Sequence, residues 1–208
     1  MTPVRSFPNV SPAAAAAALL AVLLAALLSA CGGSGALDNP PDVANPPGAQ
    51  GQKLSYLYFQ RCVNPVLNAQ LRVVINGVAT TNTCASGGCH DNATGTGGAL
   101  RLFGSAPAVD PSLGAAAVRA SDMYKNYYSS LGETVVGSPD QSRLMNKPLV
   151  RGVLHGGGLI FDSVDTPEAK LIRYWISRPM PQGQDEFSAA ANTMFTPADA
   201  NTGLCNTD

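Results

Sequence analysis

Cys84-Ala85-Ser86-Gly87-Gly88-Cys89-His90 constrains this chain more than any other stretch. Two cysteines followed at once by a histidine form the arrangement that attaches a c-type haem: the thiols add to the vinyl groups of the porphyrin and the imidazole takes the iron. Four residues separate the cysteines where two are usual, and Gly87 and Gly88 offer backbone freedom to loop the extra ones out. His90 must follow Cys89 without a spacer, because the imidazole lies beside the second thioether. Three other readings fit the same residues. Cys84 and Cys89 can close a small disulfide with His90 a bystander; they can belong to a zinc site, which is short of ligands because one other histidine exists; or they can form a redox-active dithiol, which normally has the narrower gap.

At 208 residues the chain is long enough for one domain with a real core and too short for two full-sized ones. A net charge of −1 gives no basic stripe, so nucleic acid is not an expected partner. Residues 1–30 read as an export signal: Arg5 supplies a weak positive start, and Ala13 to Leu28 form an apolar run ending in small residues. Leu28-Ser29-Ala30-Cys31 resembles a bacterial lipobox, which implies lipidation of Cys31 at the new amino terminus. The alternative is an ordinary cleaved signal. Gly32 in place of Asp after that cysteine implies, by resemblance to Gram-negative lipoproteins, the outer membrane, with the periplasmic or the surface face left open. Residues 31–52 then form the lipidated cysteine and a Pro- and Gly-rich tether spanning on the order of 25 Å.

Cysteine arithmetic follows. Setting aside Cys31 leaves Cys62, Cys84, Cys89 and Cys205. If the haem takes the middle pair, Cys62 and Cys205 can bridge and tie the C-terminal tail to the first helix; two free thiols are the alternative.

Along residues 53–208, Leu54, Leu57, Tyr58, Val63, Val66 and Leu67 recur at helical spacing, with Pro65 predicting two short helices or a kink. Asn76-Gly77 between Val73–Ile75 and Val78–Thr81 predicts a hairpin that delivers the chain to Cys84. Residues 99–103 read as a short extended piece. Residues 115–131 read as a helix whose Met123, Tyr124, Tyr127 and Tyr128 serve packing. Ser138-Pro139-Asp140-Gln141 predicts a short capped helix to about Lys147, and Thr166-Pro167-Glu168 starts the clearest helix, with Trp175 on its apolar face. Trp175 needs a large partner, the first helix or the porphyrin. From Gln182 the tail is polar and expected to be irregular until Cys205.

A six-coordinate haem needs a second strong ligand. His155 is the remaining histidine, and Gly156-Gly157-Gly158 beside it have no side chains to block a flat macrocycle. An imidazole bonded to backbone in a surface loop, a distal histidine over an open iron, and Met180 as the ligand are the alternatives.

Tyr58-Phe59, Val63-Asn64-Pro65, Cys84 to His90, Gly97-Gly98-Ala99-Leu100-Arg101-Leu102, Ser142-Arg143-Leu144-Met145-Asn146-Lys147, His155 to Gly158 and Tyr174-Trp175-Ile176, in that order, resemble planctomycete-type c-type cytochrome domains and their proteobacterial lipoprotein relatives. The resemblance covers most of residues 54–178. It implies a helix before the haem motif, a Gly-Gly-x-Leu-Arg-Leu stretch after it, a closing helix carrying Trp-Ile, and a distal ligand before that helix. His155 stands in that place, while Met180-Pro181 comes after the helix, so the resemblance favours His155. The expected fold is mainly α, a cytochrome c-like small helical domain with a short β-hairpin and long loops around one haem.

The function these features predict is electron transfer, not enzymatic turnover: one covalent haem c held by Cys84 and Cys89, with His90 and His155 on the iron, exchanging single electrons with extracytoplasmic redox proteins from a lipid-anchored position. A peroxidase-like haem enzyme with an open iron is the first rival, and a disulfide-stapled structural lipoprotein without haem is the second.

Overall fold

Pro65 lies inside the first helical segment and removes a backbone donor there, and the helix changes type just before it. In the computed structural model, which describes residues 51–208, a turn of α-helix (Tyr56–Tyr58) opens into a π-helical turn (Phe59–Val63) and returns to α-helix (Asn64–Asn68). The Asn64 N–H reaches back to the Phe59 carbonyl. This widened turn relieves the crowding that the proline ring imposes on the carbonyl four residues before it. The signal at 1–30, Cys31 and the tether up to residue 50 lie outside the described residues.

The expectation of a mainly α, cytochrome c-like domain is corrected. Helical turns of all kinds cover 35% of the structure and strand 11%; among the described residues the longest helix, Pro167–Ser177, has 11 residues. The cause is punctuation. With 21 glycines and 16 prolines in the chain, few stretches run ten residues without a breaker, and loops joined by side-chain-to-backbone hydrogen bonds take the place of helices. Within 115–131 the expected single helix is two, Ala115–Arg119 and Asp122–Leu131. Ser121 divides them: its backbone is extended, and its hydroxyl accepts the Tyr124 N–H at 3.1 Å as the cap of the second. Among the described residues no helix is long and apolar enough to cross a membrane.

The hairpin forms as its turn chemistry dictates. Strands β1 (Leu71–Ile75) and β2 (Val78–Asn82) pair antiparallel with Ile75 opposite Val78. Asn76 and Gly77 both take positive φ, 51° and 78°, as a two-residue turn requires.

Trp175 is fully buried on the closing helix Pro167–Ser177. Its indole N–H donates to the Ser55 carbonyl at 2.8 Å, and its ring centre lies 5.2 Å from Phe59 and 6.1 Å from Tyr127. Its partner is therefore the first helical segment. Of the tyrosine cluster, Tyr127 is buried and donates to the Leu54 carbonyl at 2.9 Å, whereas Tyr128 is 67% exposed.

The tail departs from its expected irregularity. A 3-10 helix (Ala189–Met194) leads into strand β3 (Phe195–Thr196), which pairs with β4 (Leu204–Cys205). Ala191, Met194, Phe195 and Ala200 enter the core, and Cys205 is bonded to Cys62. Ahead of these, Glu186 is 3% exposed and accepts from the Arg119 guanidinium at 2.8 Å and the Tyr124 hydroxyl at 2.8 Å. Burial pushes its carboxyl up, but hydrogen bonds from its own backbone and from Tyr124 and Arg119 outweigh this and hold it below the ordinary range. Arg119→Ala is expected to cost about 2 kcal/mol at pH 7, because the carboxylate keeps its burial and loses its charged donor. A lowered carboxyl pKa contributes stability above the unfolded value and loses it as pH falls through the folded one. The difference between wild type and variant in denaturant titrations therefore shrinks below about pH 4.

Candidate functional site

The seven residues from Cys84 to His90 wind into a closed turn. The Ser86 carbonyl accepts the N–H groups of Cys89 and Asp91 at 2.9 and 3.1 Å, and the Cys84 carbonyl accepts that of His90 at 2.9 Å. The two glycines do this without left-handed backbone, since neither Gly87 nor Gly88 has a positive φ; the freedom expected of them is not used. Cys84 and Cys89 are both free thiols. Burial, then the nearby Cys89, pushes the Cys84 thiol up to about 11, so it stays protonated at neutral pH.

His90 is gripped from two sides. Its backbone carbonyl accepts the Leu102 N–H at 2.7 Å, and its ring Nδ1 lies 3.2 Å from the Leu100 carbonyl. The stretch 99–103, expected to be extended, is held in place by the helix Asp122–Leu131: the Ser129 hydroxyl accepts the Arg101 N–H and the Asn126 side chain the Phe103 N–H, both at 2.7 Å. Behind the ring, Asp91 closes a turn by accepting from the Thr94 N–H at 2.7 Å, which folds Gly97 onto the imidazole. A Cβ at Gly97 would sit 2.5 Å from the His90 Cε1 and Nδ1 atoms. Gly97→Ala is expected to displace the ring and cost about 2 kcal/mol, read in thermal unfolding; a variant as stable as wild type would contradict the contact.

His155 faces the same space from the other side. Its Nδ1 lies 2.7 Å from the Gly158 carbonyl, and Gly158, with φ 75°, brings the loop against the hairpin so closely that its Cβ would fall 2.1 Å from the Val74 carbonyl. Leu159 and Val74 then exchange both backbone hydrogen bonds, at 3.0 and 2.9 Å. The glycines after His155 thus serve the approach of backbone to backbone as well as leaving the cavity wall bare at Gly156 and Gly157.

The two imidazoles are nearly parallel, 11° apart, with ring centres separated by 6.3 Å. In each, the Nδ1 contact with a carbonyl makes that nitrogen the donor and leaves Nε2 with a free lone pair. Burial, opposed in part by these hydrogen bonds, pushes both histidines below their ordinary pKa, so both rings are neutral at pH 7. Between them is a cavity of about 520 Å³, lined by Cys84, Cys89, His90 and His155 together with apolar side chains such as Leu71, Leu100, Ile160 and Phe161. That volume falls in the range of about 300–1,000 Å³ typical of cofactor and small-molecule sites.

Four of the residues singled out in the sequence are therefore brought together. Met180 is not: it is 2% exposed, packs in the core and does not line the cavity. Sequence reasoning missed the roles of Gly97 and of the Leu100 and Gly158 carbonyls, and it passed over Arg143 and Lys147, which also line the cavity. The last two had a signal, since cations four residues apart in the segment 142–147 share one face of a helix. Among the described residues no three His, Cys, Asp or Glu side chains form a group able to hold a bare metal ion.

The donor set fits a haem. Two thiols able to take vinyl groups and two neutral imidazoles, each with a free Nε2 lone pair, line one largely apolar cavity. Comparison with known proteins found no matching family model, curated protein or solved structure.

Proposed function

We propose that this protein is a lipid-anchored, covalent-haem electron carrier, and the spacing and near-parallel alignment of His90 and His155 across a cavity that also holds both free cysteines is the observation that carries this reading. Cys84 and Cys89 would hold the group covalently, each thiol adding to one vinyl group with no atom lost, and His90 and His155 would be the iron's protein ligands. When bound, the group supplies one-electron chemistry, its iron alternating between the ferrous and ferric states.

The chain's own residues set how that chemistry is used. Both imidazoles are fixed by Nδ1 contacts to backbone carbonyls, so ligand geometry changes little with oxidation state and reorganisation stays small. With both histidines as ligands, substrates and small molecules would be kept from the iron, which favours electron transfer over a peroxidase-like open site. Imidazole on both faces also sets a lower potential than histidine paired with methionine. The reading without haem has a bond between Cys84 and Cys89; two free thiols lining the same cavity as both imidazoles support attachment instead. Acylation at Cys31, followed by the tether, would keep the domain beside membrane redox proteins and raise its effective concentration there. We place that anchor in the outer membrane on the strength of Gly32.

The test uses the full chain produced with a cytochrome c maturation system. Denatured on a gel, it should retain haem peroxidase staining in wild type and lose it when Cys84 and Cys89 are both replaced by Ala. Absence of stain in the wild-type band would overturn the reading.

A further inference from the structure

Positive charge enters the cavity at one edge. Arg143 opens the short helix Arg143–Asn146 and Lys147 caps it, and both line the cavity. The ion pairs among the described residues are Arg72–Asp162, Arg119–Glu186, Lys125–Asp122 and Arg151–Asp140, so neither Arg143 nor Lys147 has a carboxylate partner there. Asp140, the nearest acid in sequence, is taken by Arg151 at 2.8 Å. Glu133 is the single carboxylate on the lining, against these two cations, and the same lining includes the apolar Leu67, Leu144 and Phe161. Unpaired cations against an apolar wall select a ligand that is apolar in its body and anionic at its margin, because each cation then gains a charge-assisted hydrogen bond and the ligand's carboxylates are not left uncompensated.

We propose that Arg143 and Lys147 bind the two propionate carboxylates of the porphyrin and so fix its orientation and tune its potential. This rests on the covalent-haem reading above. Arg143 offers a planar fork suited to a bidentate carboxylate, and Lys147 a point charge. Both hold the anionic margin of the group at the edge of the cavity. Each also offsets negative charge near the iron, which disfavours the ferric state.

The experiment takes natively matured holoprotein whose covalent haem has first been verified by mass after denaturation, and compares wild type with Arg143→Gln and Lys147→Gln. In resonance Raman spectra the propionate bending mode, which follows hydrogen bonding to those carboxylates, should shift in both variants, and the reduction potential should fall in both. Arg143→Lys and Lys147→Arg keep the charge and should hold the potential near the wild-type value while still moving the bending mode. Arg72→Gln, outside the cavity, should change neither. An unmoved bending mode in holoprotein of all four cavity variants overturns the proposal, even if the potential falls, since charge acting through space would do that alone. A wild-type protein without covalent haem would instead remove the function on which the proposal stands.

Discussion

His155→Ala is expected to leave the haem covalently attached and convert it from low spin to high spin. On the proposed reading, thioethers at Cys84 and Cys89 and a His90 bond would not involve residue 155, so retention should be unaffected. The variant would remove one of two strong-field ligands. Neighbouring Gly156 and Gly157 have no side chain to take its place. Carbon monoxide, which on that reading cannot reach the ferrous iron of wild type, should then bind readily, and added imidazole should restore the low-spin spectrum by entering the space the side chain left. The measurement is the optical spectrum of ferric and ferrous holoprotein with and without each ligand. An unchanged low-spin spectrum would mean that another side chain holds the iron. Met180 would have to leave the core to do so.

The second large effect concerns stability. Cys62 and Cys205 are bonded across a separation of 143 residues, so the bridge restricts nearly the whole domain in its unfolded state. In the chain-entropy picture a loop of that length contributes about 5 kcal/mol, and observed values for native bridges run from about 2 to 5 kcal/mol. Replacing both cysteines by Ser is thus expected to remove about 2–5 kcal/mol of a stability that for domains of this kind is on the order of 5–15 kcal/mol. Denaturant titration of matured wild type and double variant under the same oxidising conditions gives the difference directly. A loss under 1 kcal/mol would mean that the packing of Met194 and Phe195 holds the tail without the bridge.

The fold was readable where a local rule has no competitor. Asn76-Gly77 leaves a hairpin no other turn, and Thr166-Pro167 caps the closing helix, the Thr166 hydroxyl accepting the Ala169 N–H at 3.4 Å. Reading failed where long-range contacts decided the outcome. The π-helical turn before Pro65 had no local signal; it comes with the burial of Tyr58, Phe59 and Val63. The tail looked polar because Asn, Thr and Asp dominate it, yet Met194, Phe195 and Ala200 suffice to seat it once Cys205 is tied down. The cytochrome c-like helical expectation failed because apolar periodicity alone does not show where glycine, proline and caps such as Ser121 divide a segment.

Within the site, residue types carried the inference further than residue positions did. A Cys-Cys-His run and a second histidine among glycines pointed to the four side chains that meet in one cavity. Nothing local pointed to the Leu100 and Gly158 carbonyls that orient the imidazoles, because each lies where the chain returns on itself. Gly97 is similar. Its lack of a side chain matters only because Asp91 folds the following turn back onto His90.

The most direct measurement is the intact mass of the natively matured full chain under denaturing conditions. One haem mass added to the processed polypeptide and its lipid, abolished when Cys84 and Cys89 are both changed to Ala, is the expected result. Polypeptide and lipid alone, in cells that load haem onto other proteins at the same time, would contradict it.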